Sequence, residues 1–400
     1  MPKPTVDSSP QTESSVKVSP KGSARLKAGH PWVYRSDVIA ADGVAPGAVV
    51  RVTDLRGKFL GSALYSSSSQ IAIRMIAGES VADLPALIGE RVRAAIAYRK
   101  KFVADTDAYR VVFSEADFLP GLIVDHYNDV LSVQMLTQAM DAEPVRGTVV
   151  ETLVEELRPA GIFERVDARI RELEQLPARA SGLMWGQKNS TVVSMNGVRF
   201  HHDGREGQKT GAFLDQRENY AAAAQYAHGE ALDVFCYQGG FALHMTPKCS
   251  SVTGVDSSRP ALEMADKNAA LNGRELEWIE ANAFDLLKDY ASAGRQYDTI
   301  VLDPPAFAKT KRDLEKAWRG YKELNLRAMK MLRPGGILVT CSCSFHVSAA
   351  EFLEMVSEAA RDAHRSLRLL ESRGQAKDHP ILLNVPETSY LKCLIASVTG

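Results

Sequence analysis

Apolar and polar positions alternate in short runs from Val16 to about Gly78, in VKVSPKG, HPWVYRSDV, GAVVRVTDLRGKFLGSALY and SSSSQIAIRMIAG, with Gly and Pro between them. Runs of this length and punctuation predict the strands of a small β-barrel or sheet. The period changes at residues 83–103 (DLPALIGERVRAAIAYRKKFV), where apolar positions recur at helical spacing with basic residues between, and a helix is expected to lead out of the first unit. Strand-like runs return in YRVVFSE, GLIVDHY and DVLSVQML, and a helical pattern covers PVRGTVVETLVEELRP. The stretch from about 80 to 185 therefore reads as a small α+β unit.

After about Ser190 the pattern becomes strand, helix, strand: ALDVFCY, a helix from Gly240, SVTGVD, a helix through LEMADKNAALNG, LEWIEAN, a helix with FDLLKDY, YDTIVLDPP, a long helix near 314–332, then GGILVTCSCS. Such alternation specifies a mostly parallel, doubly wound sheet, the Rossmann-like kind of α/β architecture. The final runs, LRLLESRG and SYLKCLIASV, fit an antiparallel edge. The expected organisation is a disordered tail over 1–15, a β unit over 16–78, a central α+β unit over 79–187 and an α/β unit over 188–400, the last being the catalytic candidate.

Composition narrows the class. The 400 residues are 45% hydrophobic and 24% charged, which excludes disorder or fibrous repeats as the main character. No apolar stretch approaches the roughly 18 to 20 residues that span a bilayer, and the mean hydropathy is −0.17. The opening MPKPTVDSSPQTESSVKVSP lacks the apolar core of a secretory signal, so a cytoplasmic protein is expected. Five cysteines with no CxxC pair argue against a disulfide framework and against a structural metal site. The net charge of −1 hides a gradient, because residues 1–78 hold ten basic against five acidic side chains. A basic front on an acidic body suits a first unit that touches phosphate, through residues such as Arg25, Lys27 and Arg35, although an ordinary solvated surface has the same composition.

Chemistry concentrates at strand ends. In LDVFCYQGGF a strand containing Asp233 and Phe235 runs through Tyr237 into Gly239 and Gly240, where backbone can approach a ligand closely. Asp256, followed by Ser257, ends the next strand 23 residues after Asp233, where a carboxylate accepts hydrogen bonds from ribose hydroxyls. The loop is not the G-x-G-x-x-G that cradles a pyrophosphate, so S-adenosylmethionine fits better than NAD. Asn282, Ala283 and Phe284 follow the third strand: Asn282 is placed to bond an adenine edge, and Phe284 packs either on that ring or in the core.

Asp303-Pro304-Pro305-Ala306-Phe307 closes an apolar strand. Two prolines stop and stiffen it, holding the Asp303 carboxylate at the sheet edge, where it can accept from a nucleobase amino group or serve only as a turn. Thr340-Cys341-Ser342-Cys343-Ser344 ends the following strand and faces the same crevice. Carbon 5 of a pyrimidine is a poor nucleophile, and a thiolate added at carbon 6 turns it into a reactive enamine. Cys343 is the expected nucleophile and Cys341 the second choice; a buried inert thiol is the alternative for either.

The run QKTGAFLDQREN over residues 208–219, with FCYQGGF, VDSS, DPPAFAK, TCSCSFHVS and DHPILLNVPETSYLK, resembles the class I ribosomal RNA methyltransferases that form 5-methylcytosine in large-subunit RNA. GHPWVYRSDV and GKFLGSALY resemble their opening PUA domain, and FLPGLIVDHY their small central domain. The resemblance implies an RNA-binding PUA-like barrel, an α+β connector and a class I methyltransferase domain using S-adenosylmethionine on large-subunit ribosomal RNA, with a homodimer as an open assembly. It implies that the glycine turn, Asp256 and the Asn282 region line the cofactor pocket, that 208–217 close over it with Gln216 and Arg217 as polar contacts, and that Asp303, with Pro304, Pro305 and Phe307, holds the cytosine that Cys343 attacks. Two positions depart from the pattern: Asn282 stands where relatives carry Asp, and Pro305 stands where better-known RNA 5-methylcytosine enzymes carry a second cysteine. Three other readings stay open: methylation of an exocyclic amino group, for which the Asp-Pro-Pro turn suffices, a non-catalytic RNA-binding assembly factor, and a nicotinamide oxidoreductase.

Overall fold

The computed structural model describes residues 14–205, 213–308 and 311–399. Of the expected tail, residues 1–13 lie outside the described ones, as do residues 208–211 of the Gln-Lys-Thr-Gly run.

The alternation after residue 228 folds as its period requires. Seven strands, β1 (Gly229–Val234), β2 (Cys249–Asp256), β3 (Glu277–Glu280), β4 (Tyr297–Leu302), β5 (Leu332–Ser342), β6 (Ser366–Arg373) and β7 (Lys392–Thr399), form one sheet in the order β3-β2-β1-β4-β5-β7-β6. The first five run parallel, and β7 is antiparallel to both neighbours, as expected of the closing runs. Helices Leu314–Met331 and Ala349–Asp362 cover one face, burying Tyr321, Leu324, Phe352 and Val356 with Leu302 and Leu338. Helix Ala349–Asp362 starts where S-x-x-E predicts, with Ser348 and Glu351 forming a reciprocal capping box. Helices Arg217–Tyr226 and Gly240–Met245 cover the other face through Tyr220, Ala223 and Phe241. Strand order reverses between β1 and β4, so a crevice opens at their carboxyl ends.

In the front sheet the order is Trp32–Tyr34, Ile71–Ala77, Phe59–Tyr65, Val49–Thr53, Ser15–Val18, Val38–Ala40. Val16, Val18, Val50, Val52, Ala63 and Ile73 form its core. VKVSPKG does not continue as a strand, because the chain turns into helix Pro20–Lys27 at Pro20. The Ser19 hydroxyl accepts from the Gly22 N–H at 3.1 Å, and Pro20 has no N–H to leave unpaired. The cap outweighs the alternating pattern.

Five strands make the middle sheet, in the order Gly182–Gly186, Gly161–Glu164, Val130–Met135, Leu122–Tyr127, Ala108–Phe113. Helices Leu84–Phe102 and Glu143–Leu157 pack on it through Ile88, Val92, Val149 and Leu153. An unanticipated hairpin, Ser190–Met195 with Val198–Asp203, follows it. Asn196 and Gly197 turn it with φ of 52° and 83°, so the Asn-Gly pair was a readable hairpin signal. The hairpin reaches the middle sheet through Asn128 Nδ2 to the Val192 carbonyl at 3.2 Å, and helix Arg259–Leu271 through His201 N–H to Asn268 Oδ1 at 2.8 Å. Among the described residues no helix is long and apolar enough to cross a membrane, and no cluster of His, Cys, Asp and Glu is arranged to hold a metal ion.

Candidate active site

The turn after β1 is built from strained backbone. Phe235 and Tyr237 take φ of 67° and 48°, and Gly239 takes 84°. Left-handed conformations at non-glycine residues persist only where surroundings hold them, and they cluster at ligand sites. At Gly240 a Cβ would lie 2.5 Å from the Tyr220 ring, so only glycine fits.

Below the turn Asp233 is fully buried, with one oxygen accepting from the Ala242 N–H at 2.8 Å and Oδ1 without a partner. Burial, with the charges of Asp303 and Asp256, pushes its carboxyl up to about 8 against the Ala242 hydrogen bond. Asp256, at the end of β2, accepts from the Ser258 N–H at 2.9 Å and the Tyr237 N–H at 3.0 Å, which fixes its orientation beside the turn.

Asp303 ends β4 and accepts from Gln216 Nε2 at 2.9 Å. Gln216 is itself held, since Asn219 Nδ2 donates to Gln216 Oε1 at 2.7 Å and Arg373 Nε donates to Asn219 Oδ1 at 2.9 Å. This chain sets which end of the Gln216 amide faces the carboxyl. Enclosure by protein, then the charge of Asp215, pushes the Asp303 carboxyl up to about 7 in spite of the Gln216 donor. Cys343, half-buried, places its Sγ 4.0 Å from the Pro304 carbonyl oxygen. Cys341 is fully buried and pairs across the sheet with Cys393, and burial pushes its thiol well above the ordinary range. All five cysteines are free thiols.

These groups meet in one cavity of about 390 Å³. Of the residues singled out in the sequence, Gln216, Phe235, Tyr237, Gly240, Asp256, Ser257, Asp303, Pro304, Pro305 and Cys343 line it. Others lie elsewhere. Asp233 sits beneath the turn, Gly239 is in the turn but off the cavity wall, and Arg217 is buried on Asp378 at 2.9 Å. Asn282 is spent as a helix cap, its Oδ1 accepting from the Phe284 N–H at 2.9 Å, with Ala283 opening that helix. Phe284 and Phe307 pack against each other at 5.9 Å beside the core, the bland alternative for Phe284. In the front sheet Arg35 donates to the carbonyls of Ser66 and Ser69 at 2.8 Å, and Arg25 pairs with Asp37 at 3.6 Å, while Lys27 is exposed.

Sequence reasoning missed lining residues from distant elements: Tyr127 of the middle sheet, His201 and His202 of the hairpin, Asp215, Tyr220 and Tyr390. His202 stacks on Tyr127 at 3.6 Å, and burial pushes its imidazole down to about 4, so it is neutral at pH 7. Tyr390 donates to Asp215 Oδ2 at 2.6 Å. Among the described residues the lining holds Asp215, Asp256 and Asp303 and neither lysine nor arginine. Such a wall suits a nucleoside with a cationic sulfonium and offers nothing to a pyrophosphate. The unpartnered Asp233 oxygen and the glycine cradle agree with a cofactor held at this turn.

The sheet order and this cavity define an S-adenosylmethionine-dependent methyltransferase behind a PUA-like front sheet. Residues 119–396 match the family described as S-adenosylmethionine-dependent methyltransferase, and residues 16–77 match PUA-like domain. The chain belongs to that methyltransferase family, and within it to the group of proteins named ribosomal RNA large subunit methyltransferase I. The protein of that name from Shewanella denitrificans is 38% identical over 395 residues, spanning 96% of this chain and 99% of its own. The one from Photobacterium profundum is 37% identical over 92% of this chain and 95% of its own. Among solved structures, a methyltransferase designated SMU.776, complexed with SAH, superposes with a TM-score of 0.82 at 19% identity, over 96% of this chain and 99% of that one. A SAM-dependent methyltransferase from Streptococcus mutans gives 0.80 at 18% identity, with the same coverage. Both show the shared fold.

Proposed function

We propose that this methyltransferase modifies large-subunit ribosomal RNA at carbon 5 of a cytosine, by way of a covalent adduct on Cys343, in the cytoplasm. The observation that carries the reading is the approach of Cys343 Sγ to the Asp303-Pro304-Pro305 turn, 4.0 Å from the Pro304 carbonyl, inside the cavity that also holds Asp256. We further propose that residues 16–78 bind RNA, that 79–187 form the connector and that 188–400 carry catalysis.

S-adenosylmethionine supplies an electrophilic methyl group. Asp256 would hold the ribose hydroxyls, and the glycine turn would admit the cofactor's backbone-facing edge. The target base is extruded from its stack, and Asp303 takes its polar edge. With a carboxyl pushed up to about 7, Asp303 is available in both protonation states at neutral pH, able to accept from the amino group or to donate to the ring nitrogen. The Cys343 thiolate adds at carbon 6, forming a C–S bond and moving the ring electron pair to carbon 5, which would take the methyl group as its bond to the sulfonium sulfur breaks and S-adenosylhomocysteine leaves. A base then removes the carbon-5 proton; the C5–C6 double bond reforms as the C–S bond breaks and the thiolate returns.

The Asp-Pro-Pro turn on the cavity wall favours a second reading, methylation of an exocyclic amino group, which needs no thiol. Transfer of tritiated methyl from S-adenosylmethionine to unmodified large-subunit RNA, with digestion to nucleosides, separates the two. Label in 5-methylcytidine is expected with wild type and is lost in Cys343→Ala, by at least about a thousandfold. Label on an exocyclic nitrogen that survives the substitution establishes the rival chemistry, and RNA binding without label points to a binding role or to a different form of the substrate.

A further inference from the structure

Behind Cys343 stands a buried cation. Lys392 opens β7 and pairs with Ser342 across β5, one residue before the thiol. Its side chain is buried, and its ammonium donates to the Ser344 carbonyl at 2.6 Å and to the Tyr390 carbonyl at 2.8 Å. A buried ammonium resting on two neutral carbonyls is costly unless an anion forms nearby. Ser344 is held from other sides too: its hydroxyl meets Tyr321 Oη at 2.9 Å and accepts from the Ala308 N–H, in the Asp-Pro-Pro loop, at 3.2 Å. The residue after the nucleophile is thereby tied to a helix, to the loop facing the thiol and to the antiparallel strand β7.

We propose that Lys392 is a positioning residue for Cys343: it clamps the Ser344 and Tyr390 carbonyls together and supplies the positive charge that favours the thiolate. The proposal rests on Cys343 being the nucleophile. Among the described residues, Asp303 opposes an anion at the thiol and the Tyr321 hydroxyl is neutral. Asp303 shares the cavity wall with it from the end of β4 and Tyr321 approaches from helix Leu314–Met331, while Glu351, in the first turn of helix Ala349–Asp362, faces the Lys392 ammonium; His346 follows on the same loop. Burial pushes the Lys392 amine down to about 8, against the charges of Cys343 and Glu351, which leaves it protonated at neutral pH. Lys392 does not line the catalytic cavity, so it acts through Cys343 and not on the substrate.

The test is the rate of iodoacetamide alkylation at Cys343 as a function of pH, followed on the Cys343 peptide by mass spectrometry, in the full chain as wild type, Lys392→Met, Lys392→Gln and Lys392→Arg. Loss of the charge in the Met and Gln variants is expected to raise the midpoint by about one pH unit, a tenfold loss of thiolate below it, with a similar fall in kcat and little change in the KM for S-adenosylmethionine; Arg restores both. Gln retains a donor for the two carbonyls, so it reports on charge even if the Met variant fails to fold. A midpoint in the Gln variant equal to wild type overturns the proposal. The alkylation readout needs no methyl transfer, so it stands apart from whether Cys343→Ala abolishes 5-methylcytidine.

Discussion

At Asp303 function and stability pull in opposite directions. Its carboxyl moves from an ordinary 3.8 up to about 7 on folding, through enclosure and the neighbouring Asp215 charge. The folded protein therefore keeps a proton that the unfolded chain releases, and stability falls as pH rises from about 4 to about 7, then levels off. Three units bound the effect at roughly 4 kcal/mol, and water in the cavity reduces it. Asp303→Asn keeps an oxygen for Gln216 and removes the ionisation. Its melting temperature is expected to lead wild type by more at pH 8 than at pH 5, while methyl transfer is lost; an equal lead at both pH values counts against this account. Asp303, Asp256, Gly240 and Cys343 were legible in the sequence because each follows an apolar strand in a short local motif. Tyr127, His202 and Tyr390 carry no such signal, since what brings them to the cavity is the docking of the middle sheet, the hairpin and the 374–391 segment.

Among the elements, that segment between β6 and β7 does more than connect strands. Asp378 within it is fully buried and takes four contacts: its carbonyl accepts from Arg99 Nη2 at 2.7 Å, and its carboxylate accepts from the Arg110 N–H at 2.8 Å and Arg217 Nη2 at 2.9 Å and lies 3.6 Å from His379 Nδ1. Burial alone would raise its carboxyl, but His379, Arg217 and the Arg110 N–H outweigh that and hold it well below the usual range. Its contribution is present above pH 4 and is lost as pH falls below the ordinary carboxylate value. Asp378→Ala takes the carboxylate from the buried Arg217 guanidinium and from the Arg110 N–H and is expected to cost about 3 to 5 kcal/mol, read as a lowered urea midpoint at pH 7. An unchanged midpoint would show the junction to be dispensable. Arg217 belongs to this junction and not to the cavity wall. Sequence could flag Arg217 as notable but not assign its partner 161 residues away.

Across the whole molecule, the front unit is anchored to turns of the middle unit and to the 374–391 segment. Trp32 Nε1 donates to Glu115 at 3.0 Å, the Ser66 hydroxyl donates to Glu174 at 2.7 Å, and His30 meets Glu387 at 3.1 Å. Its basic residues divide accordingly. Arg35 is committed to the carbonyls of Ser66 and Ser69, so Arg35→Ala is expected to lower the melting temperature. Exposed Lys27 is free to meet phosphate, and Lys27→Ala is expected to leave melting unchanged while reducing the slope of log affinity for RNA against log salt by about 0.7 to 0.9. An identical slope removes Lys27 from the RNA surface.

Hydrophobic period alone determined the parallel α/β sheet, its antiparallel edge and the long helices, because strand and helix periods are local properties of the chain. Short motifs at strand ends determined the glycine turn, Asp256, Asp303 and Cys343 for the same reason. Tertiary structure alone decided that Asn282 caps a helix, that Arg35 braces a loop and that Lys392 stands behind Cys343. Those roles depend on which residues sheet order and docking bring within hydrogen-bond reach, and no spacing along the chain encodes that.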